Sequence, residues 1–195
     1  MNPNLTRWAV LGGLLALGAC GGGGGGDVAA PPPAASSAPP PATAVAGTRA
    51  TCNLANFQSE LLALANAYRA AGARCGAEGS FPAAPALAWN AALAQASLVH
   101  SDDMAAGNFF SHTGSSGSNA GQRATAAGYV WQAWGENIAA GQGSVAEVMA
   151  GWMASPGHCA NLMNATFRDI GVACVSGGAG NTYRSYWTMT LGAAR

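Results

Sequence analysis

The segment between residues 20 and 50 contains almost nothing that can build a hydrophobic core. Gly21 to Gly26 form an unbroken glycine run, and the stretch from Asp27 to about Arg49 is rich in Pro, Ala and Ser. Such a composition buries too little apolar surface to offset the chain entropy that is lost on folding. We expect the glycines to be flexible and the proline clusters to be stiffer. Residues 20–50 are therefore predicted to be a tether, and residues 51–195 the one folded domain.

Residues 1–19 are predicted to be an export signal. Arg7 carries the only side-chain charge ahead of the apolar run Trp8 to Leu17, which is too short to span a bilayer as a helix. The run ends in Leu17-Gly18-Ala19-Cys20, which resembles a lipobox. In a lipobox, small residues precede a cysteine that becomes the lipidated N-terminus. The prediction is a lipid anchor on Cys20; a plain secretory signal with an incidental cysteine is the alternative.

Charge and cysteine content narrow the class of protein. Charged residues make up 8% of the chain, the net charge is zero, there is no lysine and the eight arginines are scattered. A nucleic-acid partner is therefore not expected, because phosphate binding needs a basic stripe. Of the five cysteines, four remain when Cys20 is set aside. Four cysteines can all pair, in any of three connectivities.

Helical periodicity dominates the first two thirds of the domain. Apolar residues recur at helical spacing from Asn53 to Ala71 and from about Trp89 to Ala106. The second helix places His100 on its apolar face, so we expect this histidine to be buried and hydrogen-bonded. Residues 108–121 are predicted to be a loop whose aromatic residues anchor it to the core.

A third helix and a hairpin follow. Ser144 and Glu147 match a capping box that opens a helix through Ala154. Pro156-Gly157 is predicted to end this helix and to leave His158 just past its C-terminus, where a protonated or metal-bound imidazole is favoured. Two short strands, from Ile170 to Val175 and from Tyr183 to Leu191, are separated by a glycine-rich turn and form a hairpin. Helices followed by strands predict helices packed on a largely antiparallel sheet.

Several short motifs together resemble the CAP superfamily, which includes the cysteine-rich secretory proteins, the antigen 5 allergens and the plant pathogenesis-related 1 proteins. The likeness is to its bacterial branch of SCP-like extracellular proteins and covers about Phe57 to Gly192. The motifs are Phe110-Ser111-His112, Gly135-Glu136-Asn137-Ile138-Ala139, Trp152-Met153-Ala154-Ser155-Pro156-Gly157-His158, His100-Ser101-Asp102-Asp103-Met104, Arg123, Gly128-Tyr129 and Tyr186-Trp187.

The resemblance implies an α+β fold, a three-layer α-β-α sandwich with a central, mainly antiparallel sheet and a surface cleft. It also implies that His112, Glu136 and His158 line this cleft, with Asn137 and Ser155 as neighbours. A second cleft glutamate of eukaryotic members falls at Ser155 here, so that carboxylate is missing. Glu147 is the nearest substitute, but the capping box already explains it.

The three implied cleft residues allow different chemistries. Two imidazoles and a carboxylate can hold zinc or another divalent cation with one position open, and such a site can activate water. Glu136 would be the catalytic residue of a metal-dependent, peptidase-like hydrolase. The alternative is a hydrogen-bonded His–Glu–His cluster that binds no metal. An enzyme is the less favoured interpretation, because no second carboxylate is placed as a general base.

The sequence alone does not choose among the three disulfide connectivities, but locality favours one of them. Pairing Cys52 with Cys75 and Cys159 with Cys174 keeps both bonds local and ties the His158 loop to the sheet. A helix of about 25 Å separates the first two cysteines at about 1.5 Å per residue, so their pairing requires one flank to fold back.

The favoured function is a binding or interaction module outside the cytoplasm, anchored by Cys20 to a bacterial membrane, in the periplasm or on the cell surface. Lipids and cell-envelope components are the expected ligands, because members of the family have been linked to both. The alternatives are the metal-dependent hydrolase and a purely structural envelope protein.

Overall fold

The computed structural model describes residues 48–195. The predicted signal segment 1–19, lipidation site Cys20 and nearly all of the tether lie outside the described residues. Within them there are five α-helices, six β-strands and two short 3-10 helices, at Thr48–Ala50 and Gly76–Glu78. The α-helices and strands are α1 (Phe57–Ala71), β1 (Ala73–Arg74), β2 (Ser80–Phe81), β3 (Ala88–Trp89), α2 (Ala91–Gly107), α3 (Ala120–Ala126), β4 (Trp131–Ala140), α4 (Val145–Ala154), α5 (Pro156–Met163), β5 (Asp169–Ser176) and β6 (Ser185–Ala194).

A four-stranded sheet runs in the order β3-β5-β6-β4. The β4–β6 and β5–β6 pairs are antiparallel, and only the short β3 runs parallel to its neighbour β5. The predicted mainly antiparallel sheet is therefore confirmed, and so is the hairpin of β5 and β6. Strand β4, which contains the Glu136 motif, was not predicted; it pairs along the edge of β6 from Trp131 to Ala140.

One face of the sheet carries the main apolar core. Residues of α1 and α4 pack there with large side chains that alternate along β5 and β6. Burial of these side chains is the principal driving force for the fold. The core includes Phe57, Leu61, Val148, Met149, Trp152, Ile170, Val172, Trp187, Met189 and Leu191.

Helix α2 covers the opposite face and approaches it closely. Ser97 donates to the Gly171 carbonyl at 2.9 Å, and Ser101 donates to the hydroxyl of Thr188 at 2.9 Å. A Cβ atom on Gly171 would lie 2.0 Å from the Ala94 nitrogen, so only glycine permits this contact. Helices thus cover both faces of the sheet, which confirms the three-layer α-β-α sandwich. They also bury both sets of β6 side chains instead of the single predicted face.

The helix boundaries differ from the prediction at three places. Helix α1 begins at Phe57 rather than Asn53, because Asn53 and Asn56 adopt left-handed backbone angles that precede the helix. The predicted loop 108–121 ends at Asn119, whose side chain caps α3. Pro156 does not end the helical region but occupies the first turn of α5, where its missing N–H costs nothing. His158 therefore lies in the first turn of a helix and not behind a C-terminus.

The local disulfide pairing is wrong. Cys52 bonds to Cys174, and Cys75 bonds to Cys159, with Cα–Cα distances of 5.2 and 5.4 Å. Helix α1 holds Cys52 and Cys75 at opposite ends, as its length requires. The chain returns along α1 only after Cys75, where the Ala84 amide donates to the Arg69 carbonyl and the Leu87 amide donates to Asn66 Oδ1. Before α1, Thr51 forms a bridge beside Cys174, and the Cys52 amide donates to the Cys174 carbonyl at 3.0 Å.

Candidate functional site

A buried ion pair stands at the centre of the predicted site. Glu136 lies on β4 with 3% of its side chain exposed, and Arg123 on α3 is equally enclosed, with 5% exposed. The Arg123 Nη2 atom donates to Glu136 Oε2 at 2.7 Å. The same guanidinium donates to the carbonyls of His112 at 3.1 Å and Ser118 at 2.7 Å. Arg123 thus holds both Glu136 and the loop that carries His112.

His112 is bound to the other oxygen of the same carboxylate. Its Nδ1 atom donates to Glu136 Oε1 at 2.8 Å, and 58% of its side chain is exposed. Because a carboxylate can only accept, the proton of this bond lies on Nδ1. In a neutral ring this tautomer leaves the lone pair on Nε2. His112 is therefore oriented by Glu136, with its free nitrogen as the atom available for chemistry.

The ionised form of Glu136 is favoured in spite of its burial. Burial by itself raises the pKa of a carboxyl group. The hydrogen bond from His112 and the charge of Arg123 outweigh burial and hold the pKa of Glu136 below its ordinary value. The carboxylate is thus held in its charged form, and each of its oxygens accepts a hydrogen bond from one of the two partners.

His158 is joined to the same strand through asparagine side chains. Asn137, which is fully buried, donates from Nδ2 to the His158 carbonyl at 3.0 Å. Asn161 on α5 donates to the Glu136 carbonyl and to Asn137 Oδ1, both at 3.0 Å. Burial lowers the pKa of the His158 imidazole, and the influence of His112 lowers it further. This effect is opposite to the raised basicity expected beside a helix C-terminus.

A cleft of about 310 Å³ opens beside His158. We call it the His158 cleft; His112 and Glu136 do not belong to its lining. Phe110 and Tyr183 stand at it with 46% and 38% exposure, and their ring centroids are 5.9 Å apart. Phe110 is thus not the core anchor that was predicted, although Phe109 packs partly into the core. The lining residues are Phe110, Ile138, Ala139, Ala140, Gln142, Gly151, Trp152, Ser155, His158 and Tyr183.

A three-ligand metal site does not fit this geometry. In residues 48–195, no three His, Cys, Asp or Glu side chains are placed to hold one ion. Glu136 uses both oxygens on His112 and Arg123. Glu147 is no substitute, because its side chain accepts from the Gly143 amide at 2.7 Å and stabilises the start of α4.

Two supporting residues of this site were given no role from the sequence. Arg123 was noted only as part of a motif, because a buried charge pair across α3 and β4 leaves no local pattern. Asn161 was missed altogether. His100 is buried, as predicted from the apolar helix face, and its Nε2 donates to the Ser111 carbonyl at 2.8 Å. Through this bond to Ser111, His100 holds the loop at the residue that precedes His112.

The family assignment follows from a match over most of the folded domain. A model of the CAP family, described as the cysteine-rich secretory protein family, matches residues 62–191. The chain belongs to this family. Curated relatives include the Bacillus subtilis (strain 168) proteins YkwD, 34% identical over 97 residues, and YlbC, 31% identical over 86 residues. These matches cover 50% and 44% of this chain but only 35% and 25% of the relatives.

Solved structures share the CAP fold at low sequence identity. An outer surface protein of Borrelia burgdorferi is 17% identical with a TM-score of 0.55; the match covers 70% of this chain and 89% of that one. Venom allergen-like protein 4 of Schistosoma mansoni is 15% identical with a TM-score of 0.51, covering 73% and 91%. Both support the α-β-α architecture of this CAP domain.

No helix within residues 48–195 combines the length and the apolar character that a bilayer crossing requires.

Proposed function

We propose that this CAP-domain protein is an extracytoplasmic binding module, anchored through a lipidated Cys20, that recognises a component of the bacterial cell envelope. The observation that carries the proposal is the His158 cleft. Phe110 and Tyr183 expose large apolar rings beside it, and exposed apolar surface of this kind marks interaction sites and ligand-binding grooves. Pockets with apolar walls and a few polar groups are typical of ligand sites.

An exported location is supported by two independent features. The family that the chain belongs to is one of secretory proteins. The domain also holds two disulfides, which persist in oxidising compartments such as the periplasm and the cell exterior. The lipobox-like sequence at Leu17 to Cys20 then supports membrane anchoring over free secretion.

Binding is favoured over hydrolysis because of the state of Glu136. A metal-dependent hydrolase would need this carboxylate as ligand or general base. Both of its oxygens are instead taken by His112 and the buried Arg123. Any divalent cation would rest on the imidazoles of His112 and His158 alone, and we propose that such binding is weak and not required for the fold. A structural neighbour, NaASP2, has been solved with Zn²⁺.

The proposal can be tested by photo-crosslinking in the cells that produce the protein. A photoreactive amino acid is placed at Ser155 in the cleft of the full-length chain. A matched control carries it at Val130, which is 68% exposed and does not line the cleft. We expect a specific adduct with an envelope component from position 155 only. Identical adducts from both positions, or none from a stably folded protein at 155, would contradict the binding function.

A further inference from the structure

The His158 cleft has a distinctive chemical lining. None of its described lining residues carries a permanent charge. Its polar side chains include Ser155, His158, Gln142 and the hydroxyl of Tyr183, which together offer both donors and acceptors, whereas the Trp152 indole N–H already donates to the Ile138 carbonyl. A strongly charged ligand would find no counter-ion here. A pure hydrocarbon would leave these polar groups without partners.

One of these groups lacks a hydrogen bond. Gln142 Oε1 is buried, and no donor among the described residues reaches it. The backbone around it is well fixed, since the Gln142 carbonyl accepts from Ser185 at 2.7 Å and from Trp187 at 3.1 Å. The terminal torsion of a glutamine side chain is soft. Because Gln142 lines the cleft, rotation of its side chain would let Oε1 accept a hydrogen bond from a bound ligand, which would satisfy an acceptor that the described residues leave unpaired.

Two aromatic rings give the cleft an apolar surface in addition to these polar groups. Phe110 and Tyr183 lie with their planes at 57°, so they present two differently oriented surfaces at the cleft. The face of an aromatic ring carries partial negative charge and attracts polarised C–H groups. The Tyr183 ring also makes an edge-to-face contact with Tyr186, with the ring centroids 5.9 Å apart, and this contact orients it.

From these features we infer that the His158 cleft binds a neutral pyranose sugar that carries an acetamido group. The apolar face of the sugar ring would pack against Phe110 or Tyr183. Its hydroxyls would meet Ser155 and His158, and the acetamido N–H would donate to Gln142 Oε1. This inference rests on the proposed binding function and names the ligand class of the same cleft. A short peptide is the competing ligand, but it lacks the C–H-rich ring face that suits two exposed aromatic rings.

The test uses the full-length protein in detergent and calorimetric titration with three probes. They are triacetylchitotriose, cellotriose, which has the same linkage without acetamido groups, and an acetylated tetra-alanine amide peptide. We expect saturable binding of triacetylchitotriose. Cellotriose should bind about tenfold more weakly, which corresponds to the loss of one hydrogen bond. Binding of the peptide alone, or of none of the probes, would overturn the inference.

Variants connect binding to the named residues. Phe110→Ala should weaken sugar binding about tenfold or more, and Phe110→Leu should weaken it too, because it retains apolar surface but loses the ring. Gln142→Leu should abolish the preference for triacetylchitotriose over cellotriose. Trp134→Ala, which removes an aromatic residue of 37% exposure outside the cleft, should leave binding unchanged once its folding is verified. Unaltered binding in a folded Phe110→Ala protein would refute the assignment.

The two proposals can fail separately. A cleft-specific crosslink at position 155 without sugar binding would retain the binding module and remove only its ligand class. Sugar binding in vitro without any cleft-specific crosslink in cells would remove the envelope-binding role.

Discussion

At the scale of single residues, the buried Arg123–Glu136 ion pair is the central feature of the candidate site. A buried ion pair gains little over apolar packing, but removing one partner leaves an uncompensated charge. Here the pair also fixes the orientation of His112, because one carboxylate oxygen serves each partner. The charged form of Glu136 is thus part of the folded structure. A structural role of Glu136, in which its carboxylate stabilises the fold without binding metal, can therefore be tested on the metal-free protein.

Glu136→Gln should destabilise the protein even in the presence of a chelator. The substitution keeps the shape of the side chain but leaves the buried Arg123 without a counter-charge, at a cost on the order of 3 kcal/mol. Urea denaturation at neutral pH measures this loss. Glu147→Gln is the matched control, because Glu147 is exposed and contributes only one local bond at the start of α4. Equal free energies of unfolding for wild type and Glu136→Gln would show that the Glu136 carboxylate does not stabilise the fold.

The same ion pair predicts how the stability of the protein changes in acid. The folded pKa of Glu136 lies below its ordinary value of 4.5. Its contribution is therefore complete above that value and is lost as pH falls through the lower folded pKa. We therefore expect the wild type to lose more stability than Glu136→Gln when the pH is lowered from about 5 to about 3. Parallel pH–stability curves would contradict this.

His100 predicts a second pH effect, nearer neutrality. Burial lowers its pKa below the ordinary 6.5; the carboxylate of Glu136 opposes this shift and the charge of Arg123 adds to it. Since the unfolded chain then binds more protons, stability is complete above about 6.5 and falls as the solution is acidified below it. His100→Gln retains a donor for Ser111 and removes the titration. Its melting temperature should therefore fall less between pH 7 and pH 5.5 than that of wild type; an identical fall would refute the assignment.

At the scale of elements, helix α5 is held by contacts from distant parts of the chain. The Cys75–Cys159 bond joins its first half to the segment after α1. Its C-terminal end is held by Arg69 of α1, which is fully buried. Arg69 donates to the carbonyls of Leu162 at 2.6 Å, Asn164 at 3.0 Å and Phe167 at 3.1 Å. These contacts fix the helix whose first turn presents His158.

The disulfides should contribute more than local bonds would. They close separations of 84 and 122 residues, for which the loop-entropy model gives on the order of 4–5 kcal/mol each. The double variant Cys75→Ser, Cys159→Ser should have a clearly lower melting temperature. Peptide mapping of the non-reduced wild type checks the connectivity itself. A Cys52–Cys75 peptide would show that the local pairing forms after all.

Arg69→Lys should be strongly destabilising although it conserves charge. Lysine cannot reproduce the planar set of donors that serves several carbonyls at once. Leaving buried carbonyls unsatisfied costs about 1–3 kcal/mol each, so we expect a loss of about 3 kcal/mol or more. Chemical denaturation measures it. The exposed Arg74→Lys is the control, and a comparably small effect at both positions would refute the clamp.

At the scale of the whole molecule, the folded domain and the N-terminal segment have separate tasks. The domain supplies the fold and the cleft. The lipobox-like Leu17 to Cys20 is predicted to supply attachment to the membrane, with Gly21 rather than Asp after the cysteine, so no retention signal of the Asp type is present there.

Mass spectrometry of the mature protein should therefore find a diacylglycerol-modified N-terminal peptide that starts at Cys20. Cys20→Ser should prevent the modification and release the protein from the membrane fraction, because no other acceptor thiol is expected to be free. An unmodified mature N-terminus at another residue would contradict the anchor.

Features governed by local physics were predictable from the sequence alone. The apolar periodicity located α1 and α2, Ser144 marked the start of α4, and alternation with a glycine-rich turn indicated the hairpin of β5 and β6. Each of these signals depends on residues within one or two turns of one another. The motifs around His112, Glu136 and His158 also identified the family, and with it the sandwich.

Tertiary structure decided what depends on distant neighbours. Cys52 and Cys75 are close in sequence, but the rigid length of α1 separates them, and each bonds to a cysteine near the other end of the domain. Pro156 begins a helix because α5 packs against β4, although the same residue could equally end α4. Glu136 pairs with Arg123 and His112 because α3 lies against β4, and no spacing in the sequence indicates that contact. Such choices are made by packing, which brings together residues that local patterns cannot relate.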